Sequence, residues 1–161
     1  MTAMESQAPV DGPRPVGLLM NLQIVWGALL MSIAMYVGLS YFVSSQGGPV
    51  PDQEQIGTIE LAFAVTSLTC LIVSYFLPRK LLRDALGADD PQTLELTKLT
   101  AKSFAPWIIR MALSESVAIF GLLIVLISHQ PQKILPFAVL ATLAMLTAAP
   151  SERALRSAAQ R

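Results

Sequence analysis

Charged residues are scarce in this 161-residue chain: Asp, Glu, Lys and Arg make up 14% of it, while apolar residues make up 53%. A soluble domain has about 25% charged residues, so the composition argues against a surface that faces water on all sides. Eleven basic residues balance eleven acidic ones, and without a net positive field there is no reason to expect a nucleic-acid partner. The composition points instead to a lipid bilayer.

Cysteine and histidine occur once each, as Cys70 and His129. One cysteine cannot form an internal disulfide, and one histidine cannot build a His-based metal site. The sequence also has no phosphate-binding loop, zinc cluster or nucleophile elbow. We therefore expect no cofactor, no metal ion and no enzymatic activity.

Long uncharged intervals define the hydrophobic segments. No charged residue occurs between Arg14 and Asp52, and residues 61–78 and 134–151 are also uncharged. About 20 apolar residues cross the 30 Å hydrocarbon core of a bilayer. A very apolar soluble bundle is the alternative, but soluble bundles keep a polar face on every helix. We predict an all-α transmembrane four-helix bundle with spans at about 20–43, 58–78, 107–127 and 134–149.

The loops between these spans differ in basic residues. With both termini on the cytoplasmic side, nine Lys or Arg residues of the loops and tails are cytoplasmic and one is outside, as the positive-inside rule requires. We therefore predict an integral protein of the bacterial inner (plasma) membrane with cytoplasmic N- and C-termini. Residues 20–150 form the membrane domain, and the N-terminal tail 1–19 and the basic C-terminal tail 151–161 are expected to be disordered.

The cytoplasmic segment 79–106 is the longest connection between spans. Span two is expected to continue past Pro78 and to stop at Gly87. Residues 90–104 predict a short amphipathic helix at the membrane surface, and Pro106 predicts a break before span three. The basic residues here are expected to fix topology and touch lipid headgroups rather than dock a partner. The predicted inner-interface residues are Arg79, Lys80, Arg83, Trp107 and Arg110.

Glu115 is the carboxylate that most needs an explanation. It lies eight residues into span three, about 12 Å from the inner interface and near the centre of the bilayer. An ionised carboxylate is costly there, so the group must be protonated, be paired or bind a cation. Arg110 is about 140° away round the helix, and snorkelling to headgroups explains it better than pairing with Glu115.

Hydroxyl groups at the depth of Glu115 are its candidate partners. They could hydrogen-bond a neutral carboxyl group or help to ligate a cation, and the sequence alone favours the first, a hydrogen-bonding staple between helices. The candidates are Ser32 on span one, Thr66 or Thr69 on span two, and Thr142 on span four.

Small residues recur at four-residue spacing, which lets helix backbones approach closely. We expect packing within one chain rather than a homo-oligomer seam. The predicted packing residues are Ala28, Ser32, Ala34 and Gly38 on span one, Ala62, Thr66, Cys70 and Ser74 on span two, and Ser114, Ala118 and Gly121 on span three.

Residues 112–122, Ala-Leu-Ser-Glu-Ser-Val-Ala-Ile-Phe-Gly-Leu, resemble the carboxylate helix of the rotary ATP synthase proteolipid, the ring-forming subunit c. That family's pattern is Ala-Leu-x-Glu and an apolar run ending Ile-Tyr/Phe-Gly-Leu. The resemblance implies that Glu115 carries a proton or sodium ion and that Ser116 is a possible ligand. It covers about one span of four, and residues 60–77 lack the glycines of that family's preceding helix. The whole chain looks more like a small bacterial four-span membrane protein with a similar helix.

Two functions agree with these patterns. The first is a structural, assembly or regulatory partner in a membrane complex, bound to another membrane protein or to further copies of itself. The second is a proton- or sodium-binding module that uses Glu115. A membrane enzyme is a weaker third alternative, because catalysis needs several convergent polar groups and the spans offer only Glu115, Arg110 and hydroxyls.

Overall fold

The computed structural model describes residues 15–47, 53–87 and 95–160, and these residues are almost entirely helical. No β-strand occurs within these ranges, so the all-α prediction is confirmed. The helices are α1 (Pro15–Ser45), α2 (Gln53–Leu86), α3 (Leu96–Ser128), α4 (Ile134–Thr147) and α5 (Glu152–Gln160), with a 3-10 turn at Pro131–Lys133 before α4.

Three of these helices, α1, α2 and α3, are long and apolar enough to cross a membrane. The fourth predicted span differs from the expectation of residues 134–149, because α4 has only 14 residues. At 1.5 Å per residue, α4 is about 21 Å long, which is shorter than a hydrocarbon core of about 30 Å. Pro131 begins the 3-10 turn before α4, and Pro150 follows its end, where proline opposes continuation of a helix.

Helix α3 forms the centre of the bundle. It packs against α1, α2 and α4, and α1 also packs against α4. In their most apolar stretches, 44% of α3 is buried, compared with 11% of α1 and 11% of α2. Large apolar side chains therefore cover the outside of α1 and α2, including Met31, Met35 and Leu61, which are about two-thirds exposed. Such an apolar exterior suits contact with lipid.

The N-terminal tail was expected to be disordered through residue 19, but α1 already begins at Pro15. Proline is favoured in the first turn of a helix because its missing N–H has no intrahelical acceptor there. Leu22 is completely buried and Leu19 packs against the same core, so tertiary contacts hold this first part of α1. The rest of the predicted tail, residues 1–14, lies outside the described residues.

The predicted break at Pro106 is wrong, because α3 runs without interruption from Leu96 to Ser128. A proline inside a helix costs about 3 kcal/mol, but Pro106 and core residues before and after it in α3 are buried. Leu99 and Trp107 belong to the core, and each buried side chain of this kind contributes about 2 kcal/mol. The amphipathic helix expected before span three is therefore the first part of α3, and its predicted beginning, residues 90–94, lies outside the described residues.

The C-terminal tail was also expected to be disordered, but residues 152–160 form α5. The Ser151 hydroxyl accepts a hydrogen bond from the Ala154 backbone N–H at 3.2 Å, as an N-capping serine does. Leu155 is completely buried in the same core as Leu82 and Leu99. This burial explains why a short basic segment is helical, since α5 packs on α2 and α3.

Candidate functional site

Glu115 connects the central helix α3 to α1. Its Oε1 atom accepts a hydrogen bond from the Tyr36 hydroxyl at 2.9 Å and another from the Ser32 hydroxyl. Ser32 and Tyr36 are four residues apart, so they lie on one face of α1. The three side chains, which we call the carboxyl cluster, are only partly accessible.

The Ser32 hydroxyl has two acceptors within reach. It has one hydrogen, and its oxygen lies 2.7 Å from the Leu29 carbonyl as well as beside Glu115 Oε1. Ser32 therefore donates to one acceptor at a time, while Tyr36 donates to Oε1. The bond from Ser32 to Glu115 thus competes with a bond inside α1.

The other predicted hydroxyl partners do not reach Glu115. Thr66 donates to the Ala62 carbonyl at 2.8 Å, Thr69 to Val65 at 2.9 Å and Ser116 to Ala112 at 2.9 Å, all within their own helices. Thr142 of α4 is half-buried and makes no hydrogen bond to Glu115.

Helix α2 cannot supply those partners because it packs on a different face of α3. Its Phe63 stacks on Phe120 of α3 with ring centres 5.6 Å apart. Phe120 lies five residues after Glu115 and therefore about 140° round the helix. The carboxyl cluster is consequently built by α1 and α3 alone.

Tyr36 is the member of the cluster that sequence reasoning missed. Depth in the bilayer alone matches Ser32 of span one with Glu115. The spacing of four residues between Ser32 and Tyr36 was the available signal, since both side chains must then face the same neighbour.

A second group of polar side chains binds the end of α4. Trp26 donates its indole N–H to the Met145 carbonyl at 2.9 Å, and Trp107 donates to the Ala148 carbonyl at 2.7 Å. The last carbonyl groups of a helix lack their usual partner one turn further on. The Met145 carbonyl also accepts from the Ala148 backbone N–H at 3.0 Å, so the bond from Trp107 to the buried Ala148 carbonyl is the more important of the two. We call this part of the bundle the tryptophan end.

Arg110 also belongs to the tryptophan end. Its guanidinium donates to the Thr147 carbonyl at 3.1 Å and lies 3.2 Å from the Thr147 hydroxyl oxygen. Arg110 therefore binds the C-terminus of α4 and does not pair with Glu115, as expected. A cation is favourable at that C-terminus because the helix dipole leaves partial negative charge at that end. The snorkelling of Arg110 to headgroups stays a prediction.

The predicted packing residues divide between the core and the surface. On α3, Ser114, Ala118 and Gly121 are buried, whereas Ala28, Ala34 and Gly38 of α1 are exposed. On α2 the row changes along its length, from exposed Ala62 and Thr66 through half-buried Cys70 to buried Ser74. The reason is geometric: four residues advance by about 400°, so the row drifts by about 40° at each step.

At the opposite end of the bundle, Glu60 of α2 forms an ion pair with Lys133 of the 3-10 turn. The Glu60 side chain is 32% exposed and that of Lys133 is 27% exposed, so water reaches both. The pair connects α2 to the segment that begins α4.

We expect Glu60→Gln to lower the free energy of unfolding by less than about 1 kcal/mol, because a partly exposed ion pair is screened by water and salt. Unfolding in detergent at low and high salt would measure this. The matched control is Glu152→Gln, which removes the exposed pair with Arg156 on α5. A loss of several kcal/mol for Glu60→Gln alone would show that the pair is not screened.

The described residues offer little for a metal ion: within 15–47, 53–87 and 95–160, no three His, Cys, Asp or Glu side chains converge on one position. The comparisons with known proteins add no further constraint. No family model, curated protein or solved structure matches this chain.

Proposed function

We propose that this protein is a small structural or assembly partner within a membrane complex, and that Glu115 stabilises its fold as a hydrogen-bonding staple. The observation that carries the proposal is the pair of hydrogen bonds from Ser32 and Tyr36 to Glu115. The intramembrane acid is engaged inside the chain by two hydroxyls of a neighbouring helix. An ion-transport site would need Glu115 free to bind its ion. Here Glu115 is engaged in contacts between α1 and α3.

The surfaces of α1 and α2 support the same proposal. Both helices expose most of their length, and α1 leaves Ala34 and Gly38 on the outside, with nothing within 4 Å of a Cβ placed on Gly38. Small residues on an outer face permit close approach of another transmembrane helix. The partner in this proposal is a membrane protein or a further copy of the chain.

The topology is part of the proposal. We place four spans in a bacterial inner membrane, with α4 as the shortest, and both termini in the cytoplasm. Nine cytoplasmic basic residues against one on the outside support this orientation. Trp26 and Trp107 at the tryptophan end agree with a position at the membrane interface, where tryptophan is enriched.

Two substitutions of Glu115 test the staple. A glutamine can place its amide oxygen where Oε1 lies and accept from both Ser32 and Tyr36, so we expect Glu115→Gln to retain the stability of the wild type. A leucine of similar size accepts from neither, and we expect Glu115→Leu to lower the free energy of unfolding by about 1–2 kcal/mol. Thermal unfolding in detergent and protein levels in membranes measure both effects.

The second candidate is a proton- or sodium-binding module, favoured by the convergence of oxygen atoms from Glu115, Ser32, Tyr36 and Leu29. The same variants distinguish it. If Glu115→Gln folds at wild-type levels but abolishes a cation flux in vesicles, Glu115 is an ion site. If vesicles show no flux and Glu115→Leu alone is unstable, the staple is supported.

A further inference from the structure

Two arginines from different helices face one small pocket at the tryptophan end. Arg79 of α2 and Arg110 of α3 line it together with Tyr75 and Trp107. The guanidinium carbon of Arg79 lies 3.6 Å from the centre of the Tyr75 ring, and that of Arg110 lies 5.6 Å from the Trp107 ring. The contact with Tyr75 holds the Arg79 guanidinium in place while leaving its N–H donors available at the ring edge. One nitrogen of Arg110 binds Thr147, and the remaining N–H groups of its guanidinium are left for a ligand.

Both guanidinium groups are positively charged and line the same pocket between α2 and α3, so they repel each other. Among residues 15–47, 53–87 and 95–160, neither Arg79 nor Arg110 forms an ion pair with a carboxylate. Like charges held together beside an apolar surface are costly unless a negative charge lies beside them. The pocket itself has a volume of about 10 Å³, so an anion as large as a phosphate would lie at its mouth. The arrangement therefore suits an anion.

We propose that Arg79 and Arg110 bind the phosphate of an anionic phospholipid. Guanidinium groups bind phosphate oxygens through paired, charge-assisted hydrogen bonds. Lys80 is exposed next to Arg79 and adds positive charge, which attracts a lipid of net negative charge over a zwitterionic one. The site lies apart from the carboxyl cluster and does not depend on the function proposed for Glu115.

The apolar surface beside Arg79 selects a lipid over a free phosphate ion. A groove of about 640 Å³ extends from Arg79 and Lys80 along α2. Ile72 and Phe76 in this groove are 51% and 64% exposed, and Ile72 is about 10 Å from Arg79 along the helix axis. A phosphate at Arg79 would thus have its acyl chains beside Ile72 and Phe76, in the direction of the bilayer centre.

Native mass spectrometry of the purified full chain tests the proposal. The protein is released from detergent containing phosphatidylglycerol or phosphatidylcholine with the same acyl chains, and the bound lipid is counted. We expect phosphatidylglycerol to be retained at least about fivefold better, since each basic residue at a membrane surface contributes about 1 kcal/mol. Equal retention of the two lipids by the wild-type protein would overturn the proposal.

Substitutions locate the site. We expect Arg79→Gln to reduce phosphatidylglycerol retention about fivefold and Arg79→Lys to reduce it less. The matched control is Arg153→Gln, which removes the same charge from an exposed position on α5 and should leave retention unchanged. If Arg153→Gln reduced phosphatidylglycerol retention equally, the lipid would be attracted by the overall positive charge and not by a site at Arg79 and Arg110. Displacement of the lipid by millimolar inorganic phosphate would overturn the lipid as occupant.

Discussion

Replacing Gly121 with valine is expected to lower the free energy of unfolding by about 2–3 kcal/mol. Gly121 lies where α3 and α4 approach closely: a Cβ placed on it would lie 2.6 Å from the Cβ of Phe137 and 3.3 Å from the Ile134 side chain. A Cβ is fixed to the backbone and cannot rotate away, so α4 itself must move. Thermal unfolding in detergent measures the loss.

The matched control for this prediction is Gly38→Val on α1. Gly38 is also helical, but nothing lies within 4 Å of a Cβ placed there. We expect this variant to unfold within about 0.5 kcal/mol of the wild type in detergent. If Gly121→Val and Gly38→Val were equally stable, the close approach of α3 and α4 would be refuted.

The second large effect is expected from the two tryptophans that bind the end of α4. Trp107→Phe keeps most of the buried ring but leaves the Ala148 carbonyl without its donor, and both residues are almost fully buried. An unsatisfied buried carbonyl costs about 1–3 kcal/mol. We expect a loss in this range for Trp107→Phe, and a larger one when Trp26→Phe is added.

Unfolding of the two single variants and the double variant provides the test. Trp26 is less buried than Trp107, so its loss should be the smaller one. If the double variant were as stable as the wild type, the carbonyl groups at the end of α4 would not need protein donors. Water reaching that end of the helix would then be the explanation.

The long apolar helices of the chain could be predicted because they depend on the hydropathy of whole segments. The uncharged interval after Arg14 specifies α1, whatever its neighbours are. The continuity of α3 through Pro106 could not be predicted in this way. The local sequence around a proline predicts a break in the helix. The free energy gained by burying Leu99 and Trp107 outweighs the cost of the proline. That burial depends on helices distant in sequence, so it cannot be read from the local sequence.

The carboxyl cluster could be predicted in part. Depth along the helices identified Ser32 and Glu115, because a rise of 1.5 Å per residue is nearly constant. Depth does not specify which helix faces which, so Thr66 and Thr142 were equally good candidates until the position of α2 on the Phe120 face was known. Tyr36 follows only when α1 is known to be the neighbour.

The function proposed for Glu115 is tested most directly by reacting native membranes with a lipid-soluble carbodiimide across a range of pH and reading the adducts by mass spectrometry. Carbodiimides require a carboxyl group that can transfer its proton to the reagent. Because Ser32 and Tyr36 hydrogen-bond Glu115 Oε1 between α1 and α3, we expect no adduct there in the wild type, while Glu60 is labelled in the same sample. The Ser32→Ala and Tyr36→Phe double variant should release Glu115 for labelling. Labelling of Glu115 in the wild type that is lost at high pH and blocked by one cation would contradict the staple and identify an ion site.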